Sequence, residues 1–429
     1  MTDEGSGTPD GPTRRDYLRY GGIVAGGALL AGCTGDGGSG STPEPTGSDP
    51  GTPTPTKSAT ATGTATGADA STEASGSGSY TVTMAPAGEV AFESVPERVL
   101  VYSLLYADMA VAYGHGDAVN SLGFDAEGGG STLDAYYARL DGVSFDREGL
   151  TQLNTGSGSI RVEKELLYEL DSDLHLMDPC LMASFDGWGM ADVEEVRENV
   201  APWFGNVYSR RHGQPPEPCR DDYEYYTLWE IAERVSRVFG RPARYEALAS
   251  VHDGLLSTIE SDLPPEGERP EVGSVIYMDE TFYPAKIGTP GFATAHVRPL
   301  GAPDAFVGED VTYETSYDFE TLLEIDPDVL LHRYGVSSYY DVAEIRRALE
   351  DHPVGSQLSA VRNGRVYPSG HPVQGPLMNL FQLEMTAKQL YPERFGEWPS
   401  YDGGAYPEIP EAERLFDREA VASVVDDGV

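Results

Sequence analysis

Apolar residues recur three or four positions apart over the stretch from Pro242 to Leu263. They are Tyr245, Leu248, Val251, Leu255, Ile259 and Leu263. This spacing puts them on one face of an α-helix, and Pro242 suits the first turn because its missing N–H needs no partner there. Gly240 ends the preceding helix, and Pro264 and Pro265 stop this one. The pattern predicts an amphipathic helix roughly 30 Å long, about the width of a small domain.

Two similar acidic segments stand on either side of this helix. Residues 165–174 read ELLYELDSDL and residues 320–329 read ETLLEIDPDV, so both follow the pattern E-x-L-x-E-[L/I]-D-x-D-[L/V]. Each acidic unit predicts a short helix, an acidic turn and then a buried strand, over Leu174–Met177 in the first and Val329–His332 in the second. A unit repeated on both sides of one long helix indicates two related α/β lobes.

The other periodic segments alternate between strands and helices. Before the long helix, the patterns predict a hairpin over Tyr80–Phe92, strands over Arg98–Tyr102 and Val119–Gly123, and helices over Leu105–Tyr113, Val193–Val200 (capped by Asp192) and Tyr225–Phe239. After it, they predict strands over Val272–Met278 and Gly364–Tyr367, a loop-rich stretch over Thr281–Gly301, and helices over Val342–Glu350 and Pro376–Leu390. Strands that alternate with helices indicate a mostly parallel sheet in each lobe.

Residues 1–33 have the order of an export signal. Arg14 and Arg15 precede an apolar, glycine-rich run over Gly21–Ala31, which is followed by Cys33. The run is too short to span a bilayer as a mature helix, and its order resembles a twin-arginine lipoprotein signal. This resemblance implies export of a folded protein, cleavage before Cys33 and a lipid anchor on Cys33 at the outer face of the cell membrane. Residues 34–79 are nearly all Gly, Ser, Thr, Pro, Ala and Asp, which predicts a disordered tether.

The composition is strongly acidic, with a net charge of −41 over 429 residues. Such a composition, poor in lysine, resembles that of proteins from salt-saturated cells, and nucleic-acid binding is disfavoured because no basic patch is present. About 350 residues follow the tether, enough for two lobes of about 150 residues each. We predict an N-terminal α/β lobe over 80–240, an inter-lobe helix over 241–264 and a C-terminal α/β lobe over 265–429. Outside the cell, Cys180 and Cys219 can form a disulfide or remain two buried thiols, because the sequence does not give their separation.

Four features together resemble the lipid-anchored solute-binding proteins of ABC importers for iron-siderophore complexes and cobalamin, including haloarchaeal members. They are the VPERVLVYS strand (95–103) with Ala107-Asp108 after it, the two acidic units, the long helix, and the SAVRNGRVY segment (359–367). The resemblance covers roughly Val90 to Tyr391 and departs from the family at Asp171-Ser172-Asp173, where Lys-Pro-Asp is usual.

This resemblance implies the class III periplasmic-binding-protein fold, in which two Rossmann-like α/β lobes are bridged by one long α-helix and the solute sits between them. It further implies a monomer that is not an enzyme and has no intrinsic cofactor. Such a protein captures an Fe³⁺-siderophore complex and delivers it to permease and ATPase subunits, the latter hydrolysing ATP.

Candidate ligand-binding residues follow from the strand order, since open α/β sheets bind ligands beyond the carboxyl ends of their strands. Aromatic faces pack against chelate rings, and a guanidinium group suits the oxygens of an anionic ferric chelate. The candidates are Tyr102, Tyr106, Trp188, Tyr277, Tyr283, Arg298, Arg333 and Tyr334. In the resembling family a glutamate of each lobe pairs with permease arginines, and Glu165 and Glu320 hold equivalent positions in the two acidic units.

Other functions stay open at this point. Cobalamin or haem would suit the same aromatic cleft, and a direct metal-ion binder would use His296, His332 and His371. A surface-anchored hydrolase would use a carboxylate pair. However, the sequence contains no P-loop, no H-E-x-x-H, and no G-x-S-x-G between a strand and a helix.

Overall fold

The structure is a computed structural model that describes residues 78–154, 161–312 and 314–426. The predicted export signal with Cys33, and residues 34–77 of the predicted tether, lie outside these residues. The strands are β1 (Tyr80–Met84), β2 (Gly88–Phe92), β3 (Val99–Val101), β4 (Val119–Leu122), β5 (Thr151–Gln152), β6 (Leu174–Leu176), β7 (Val272–Met278), β8 (Thr281–Ala285), β9 (Val329–His332) and β10 (Val366–Pro368). The helices are α1 (Leu104–Ala112), α2 (Gly128–Tyr137), α3 (Lys164–Leu170), α4 (Pro179–Met182), α5 (Met190–Asn199), α6 (Leu228–Val238), α7 (Pro242–Asp262), α8 (Phe319–Ile325), α9 (Val342–Asp351), α10 (Ser359–Arg362), α11 (Pro376–Leu390), α12 (Pro392–Phe395) and α13 (Arg418–Asp426). Among the helices described, none has the length and apolar character that a membrane crossing requires.

Two main sheets confirm the predicted α/β fold. The first sheet has the strand order β5-β4-β3-β6, and all of its neighbouring strands run parallel. The second has the order β10-β9-β7-β8, in which only β8 runs antiparallel to its neighbour. The predicted hairpin is confirmed as β1 paired with β2. In each sheet the carboxyl ends of the parallel strands lie at one edge, and a ligand can bind beyond that edge.

Two predictions about local structure are wrong. The loop-rich stretch predicted from Thr281 begins instead with β8, because Asp279 and Glu280 both adopt positive φ (51° and 56°) and turn the chain back onto β7. Asp-Glu is not a usual pair for such a turn, so the sequence did not signal a hairpin. The helix predicted over Val193–Val200, with Asp192 as its cap, begins instead at Met190, and the carboxylate of Asp192 reaches back to accept from the amide of Gly189 (2.9 Å).

The two acidic units adopt the same local structure. Helix α3 is followed directly by Asp171 (φ 46°) and α8 by Asp326 (φ 49°), and both residues adopt the left-handed conformation. Asp tolerates this conformation better than most residues because its short polar side chain can hydrogen-bond locally. Each left-handed residue turns the chain from its helix into a parallel strand, β6 or β9. The repeated sequence is therefore a repeated helix–turn–strand structure, as predicted.

The second aspartate of each acidic unit makes the same kind of hydrogen bond in both sheets. The carboxylate of Asp173 accepts a hydrogen bond from the backbone amide of Arg98 (2.9 Å), just before β3. The carboxylate of Asp328 accepts one from the amide of Glu271 (2.9 Å), just before β7. In both sheets an aspartate at the start of one strand therefore fixes the start of the parallel strand beside it.

Helix α7 confirms the predicted long helix and connects the two sheets along the chain. Its residues Leu248, Leu255 and Ile259 are buried, as the apolar face predicted. Helix α7 packs against α6, α11 and α13, and also against the turn at Arg298–Leu300. It therefore contacts segments from both halves of the chain.

The C-terminal part of the chain packs largely against the part that precedes α7, which we call the first half. Every residue of α11 is buried, and the carboxylate of Asp108 in α1 accepts a hydrogen bond from the amide of Leu377 (2.9 Å). Further along, the amide of Tyr406 donates to the carbonyl of Ala135 in α2 (2.8 Å), and α13 contacts α1. The assignment of residues 265–429 to a second lobe stays a prediction. Within that range, α11 and the segment after it contact the first half of the chain.

Cys180 and Cys219 form a disulfide, with Cα atoms 6.3 Å apart. The bond joins α4, directly after β6, to the long loop that precedes α6. Of the two alternatives that the sequence left open, the structure has the disulfide.

Candidate ligand-binding site

A cavity of about 500 Å³ lies at the carboxyl edge of the second sheet. Its wall includes Ser274, Ile276 and Met278, which are alternate residues on one face of β7. It also includes the segments that follow β9 and β10, as the strand order predicts for a ligand site. The volume falls within the usual range for small-molecule sites, about 300–1,000 Å³.

The cavity has a charge opposite to that of the chain. Arg211, Lys286 and Arg333 line it, and none of its described lining residues is Asp or Glu. The chain as a whole contains 70 acidic and 29 basic residues, so a wall with cations and no carboxylate departs sharply from the composition. Such a wall favours an anionic ligand, because an anion brought into a partly desolvated cavity needs opposite charge nearby.

Three of the predicted ligand-binding residues come together here. Arg333 and Tyr334 directly follow β9, and Tyr283 lies in β8. The guanidinium carbon of Arg333 lies 5.5 Å from the centre of the Tyr334 ring. The buried hydroxyl of Tyr334 has no hydrogen-bond partner within the described part of the chain, so it can bond to a ligand oxygen.

The other predicted ligand-binding residues do not line this cavity. Tyr106 is 1% exposed, and its hydroxyl accepts a hydrogen bond from the amide of Asn206 (2.6 Å). The guanidinium of Arg298 donates to backbone carbonyls of its own loop. The remaining three pack against neighbouring aromatic rings: Tyr102 against Phe185, Trp188 against Trp203, and Tyr277 against Phe282.

The sequence reasoning did not find Arg211, Lys286 or Tyr340, which line the cavity. Lys286 directly follows β8, within the stretch Thr281–Gly301 that the sequence predicts to be loop-rich. Arg211 comes from a loop of the first half, and no local pattern indicates that this loop reaches the second sheet. The one available signal was the scarcity of cations, which makes each lysine or arginine in a loop a candidate.

The three histidines considered for a metal site are buried as neutral imidazoles. Burial lowers the pKa of His296 to about 3, with a further contribution from Arg333, and it lowers the pKa of His332 to about 4. Burial, assisted by the charge of Arg210, lowers the pKa of His371 to about 3. In the described ranges, no three His, Cys, Asp or Glu side chains are arranged to hold a metal ion. Within the described residues, His296, His332 and His371 therefore do not form a metal site.

His296 makes the stability of the protein depend on pH. Its pKa is 6.5 in an unfolded chain and about 3 here, so the unfolded chain binds the extra proton as the pH falls below about 6.5. The stability that the neutral imidazole provides is present above pH 6.5 and decreases as the pH falls toward 3. Between pH 7.5 and 5 we expect a loss of about 2 kcal/mol from this residue.

Urea unfolding of the His296→Gln variant at both pH values measures this contribution. We expect the variant to lose about 2 kcal/mol less stability than the wild type over this range. His212→Gln, at an exposed histidine, is the control and should show the wild-type slope. Equal pH slopes for wild type and His296→Gln would contradict the assignment.

Glu165 and Glu320 are both exposed, and each is the second residue of its helix, α3 or α8. They occupy equivalent places in the two acidic units. Neither lines the cavity.

Solved structures show what the fold resembles. No protein-family model matches the chain, and no curated protein matches it. A periplasmic binding protein from Veillonella parvula aligns with 77% of this chain and 95% of its own, at 15% identity and a TM-score of 0.51. The iron uptake ABC transporter substrate-binding protein PiuA from Streptococcus pneumoniae aligns with 71% of this chain and 96% of its own, at 16% identity and a TM-score of 0.51. Ni(II)-bound CeuE from Helicobacter pylori aligns with 74% of this chain and 90% of its own, at 14% identity and a TM-score of 0.50.

The chain thus has the class III periplasmic-binding-protein fold, an α/β fold with two mainly parallel sheets. The long helix α7 lies between the two sheets in the chain, in the place that this fold gives to its bridging helix. At these levels of identity the comparisons describe the fold, and the ligand has to be argued from the cavity of this chain.

Proposed function

We propose that this protein is the extracellular binding component of an ABC importer and that it captures an anionic ferric siderophore complex for a membrane permease. The fold supports a binding protein, because it offers a preformed cavity at a sheet edge and connects its halves by a long helix. ATP hydrolysis belongs to other subunits of the importer. The protein itself binds and releases its ligand unchanged, as a monomer without an intrinsic cofactor.

The observation that carries the proposal is the charge of the cavity. Arg211, Lys286 and Arg333 line it without a carboxylate among the described lining residues, in a chain of net charge −41. Ferric complexes of catecholate or citrate-type chelators present several anionic oxygens, which guanidinium groups bind well. Tyr283, Tyr334 and other apolar wall residues supply surface for the organic part of the chelator.

Cobalamin and haem are the alternative ligands for the same cavity. Haem carries two carboxylates and is the stronger alternative, since the same cations would bind them. The test below therefore includes haem as a competitor.

We further propose how the protein is held and how it docks. Twin-arginine export and lipidation of Cys33 would place it on the outer face of the membrane, with residues 34–79 as a tether. Glu165 and Glu320, exposed at equivalent positions of the two halves, would pair with arginines of the permease. Exposed pairs of this kind are individually weak, especially in concentrated salt.

Equilibrium dialysis against radioactive iron tests the proposed ligand. We expect the purified protein to retain one equivalent of iron from ferric dicitrate. A neutral ferric trihydroxamate should bind more weakly, and iron-free citrate should not compete at the same concentration. The wall cations provide the physical reason, since each charge-assisted hydrogen bond contributes about 1.5–3 kcal/mol.

The other outcomes are equally informative. Saturable binding of haem, with no binding of either iron chelate, would identify haem as the ligand in place of the ferric siderophore. The proposed importer function would then stand. Binding of the neutral chelate with an affinity equal to that of the anionic one would contradict the role given to the cations. Absence of binding by all three would overturn the proposed function.

A further inference from the structure

The first half of the chain contributes to the cavity through one loop. Among the described lining residues, Arg211 and Gly213 come from the first half, and all others lie between residues 274 and 372. Both belong to the segment from Gly205 to Tyr226, which we call the anchored loop. The loop leaves the first sheet, reaches the cavity at its tip and returns to α6.

A buried carboxylate holds both ends of the anchored loop. Asp178, directly after β6, is 1% exposed. Its carboxylate accepts hydrogen bonds from the amide of Val207 (2.8 Å) and from the hydroxyl of Tyr223 (2.5 Å). The Tyr223 hydroxyl in turn accepts from the amides of Val207 (3.1 Å) and Tyr208 (3.0 Å). This hydrogen-bonded group, the Asp178–Tyr223 node, connects the part of the loop that leaves the first sheet and the part that returns to α6 with the end of β6.

Two further attachments lie beside this node. The disulfide between Cys180 and Cys219 joins α4 to the returning part of the loop. The side-chain amide of Asn206 donates to the carbonyls of Ala85 (2.8 Å) and Glu224 (2.9 Å). The base of the loop is therefore fixed by a covalent bond and by hydrogen bonds whose groups are mostly buried.

The second half of the chain fixes the tip. Gly291 has a φ of 101°, and a Cβ atom at this position would lie 2.4 Å from the carbonyl oxygen of Arg210 and 2.5 Å from that of Ser209. The two backbones are in contact without room for a side chain. The tip is thus held from the cavity side as well as from its base, directly beside Arg211.

We infer that the anchored loop is the element by which the first half selects the ligand, and that the disulfide and the Asp178–Tyr223 node act as positioning groups for Arg211. This inference rests on the proposed function, because it concerns an anionic ligand in the same cavity. A charge-assisted hydrogen bond depends on the donor being held in place, and a site whose supporting contacts are loosened loses affinity without losing any residue that touches the ligand. Removing the disulfide should therefore weaken binding only to the extent that Arg211 contributes to it.

A double-mutant cycle tests this dependence. The affinity for ferric dicitrate is measured by calorimetry for the wild type, for Cys180→Ser/Cys219→Ser, for Arg211→Gln and for all three substitutions together. We expect a loss of about 10-fold for the serine pair in the wild-type background, consistent with the lower range for a charged hydrogen bond. In the Arg211→Gln background we expect the serine pair to change the affinity by less than about twofold.

A general loosening of the protein would give a different result. In that case the serine pair would weaken binding equally in both backgrounds, and this outcome would overturn the inference. An unchanged affinity of the serine pair in the wild-type background would overturn it as well. A wild type that does not bind ferric dicitrate overturns the proposed function instead, so the two failures are distinguishable.

A milder variant covers the case in which the serine pair fails to fold. Tyr223→Phe keeps the ring and removes the hydroxyl that connects Asp178 to the two loop amides. It should show the same dependence on Arg211, with a smaller loss of about three- to fivefold. Tyr168→Phe, at an exposed tyrosine outside the loop, removes a hydroxyl that bonds Glu195 (3.2 Å) and should leave the affinity unchanged. Equal affinities of Tyr223→Phe and Tyr168→Phe would contradict the positioning role.

Discussion

Replacing Arg333 with glutamine is expected to weaken the binding of ferric dicitrate by about 10- to 100-fold. The residue follows β9 and lines the cavity, where its charge is partly removed from water. A hydrogen bond to a charged group contributes about 1.5–3 kcal/mol, and each 1.4 kcal/mol is a tenfold change in affinity. Concentrated salt should reduce the effect only in part, because ions screen charges in a cavity less than charges on a surface.

Calorimetric titration of Arg333→Gln against the wild type measures this loss. Arg347→Gln is the matched control, since it removes the same charge from an exposed position on α9, outside the cavity. The control should bind like the wild type. A neutral ferric trihydroxamate should bind the Arg333 variant and the wild type with similar affinity. Equal losses for Arg333→Gln and Arg347→Gln would mean that only the net charge matters, which contradicts a specific site.

Replacing Glu384 with glutamine is expected to lower the free energy of unfolding by about 3–5 kcal/mol, the range for a buried ion pair that loses one partner. Glu384 lies in α11, and its carboxylate accepts hydrogen bonds from Arg418 (2.7 Å), the hydroxyl of Tyr406 (2.9 Å) and the amide of Leu415 (2.8 Å). The side chains of Glu384 and Arg418 are 0% and 3% exposed. The variant would leave the guanidinium of Arg418 buried without its counter-charge.

Chemical denaturation of Glu384→Gln and of a matched control checks this value. Glu233→Gln makes the same substitution in an ion pair with Arg237. The side chains of Glu233 and Arg237 are 34% and 58% exposed, respectively. Exposed pairs contribute about 0–1 kcal/mol, so the control should remain close to the wild type. If both variants lose the same stability, the buried network is not what fixes the C-terminal segment.

The elements that the sequence predicted well are those specified by short-range pattern. The apolar face of α7 follows from spacing along one helix, and the buried Leu248 and Leu255 confirm it. The acidic units follow from a repeated spacing in which the second aspartate, Asp173 or Asp328, binds the neighbouring strand. In these cases the pattern that specifies the local structure lies within one helix or one helix–turn–strand unit, even though the second aspartate then bonds to a residue 75 or 57 positions away.

The part that the sequence did not predict depends on contacts between distant segments. Glu384 and Lys388 are charged residues of the helix predicted over Pro376–Leu390, yet every residue of α11 is buried, because segments of the first half cover it. The strand-end rule located the cavity edge, since Arg333 and Tyr334 line it. The rule does not say which face of the strand end is open: Tyr277 lies on the face of β7 opposite the cavity, and Tyr102 is buried against Phe185. Arg211 was missed because nothing local shows that its loop crosses to the other sheet.

The contacts of the C-terminal segment have a consequence for the order in which the protein can fold. Asp108 in α1 bonds to Leu377, and Ala135 in α2 bonds to Tyr406, so partners are separated by more than 260 residues. During synthesis these helices stay uncovered until the segment from Leu377 to Tyr406 has left the ribosome. Contacts so far apart in the chain also form slowly, and the incomplete form exposes apolar surface in the meantime. The first half therefore cannot be finished as an independent unit. A chain whose early helices are covered so late suits an export route that carries folded proteins, which is the route proposed here for this one.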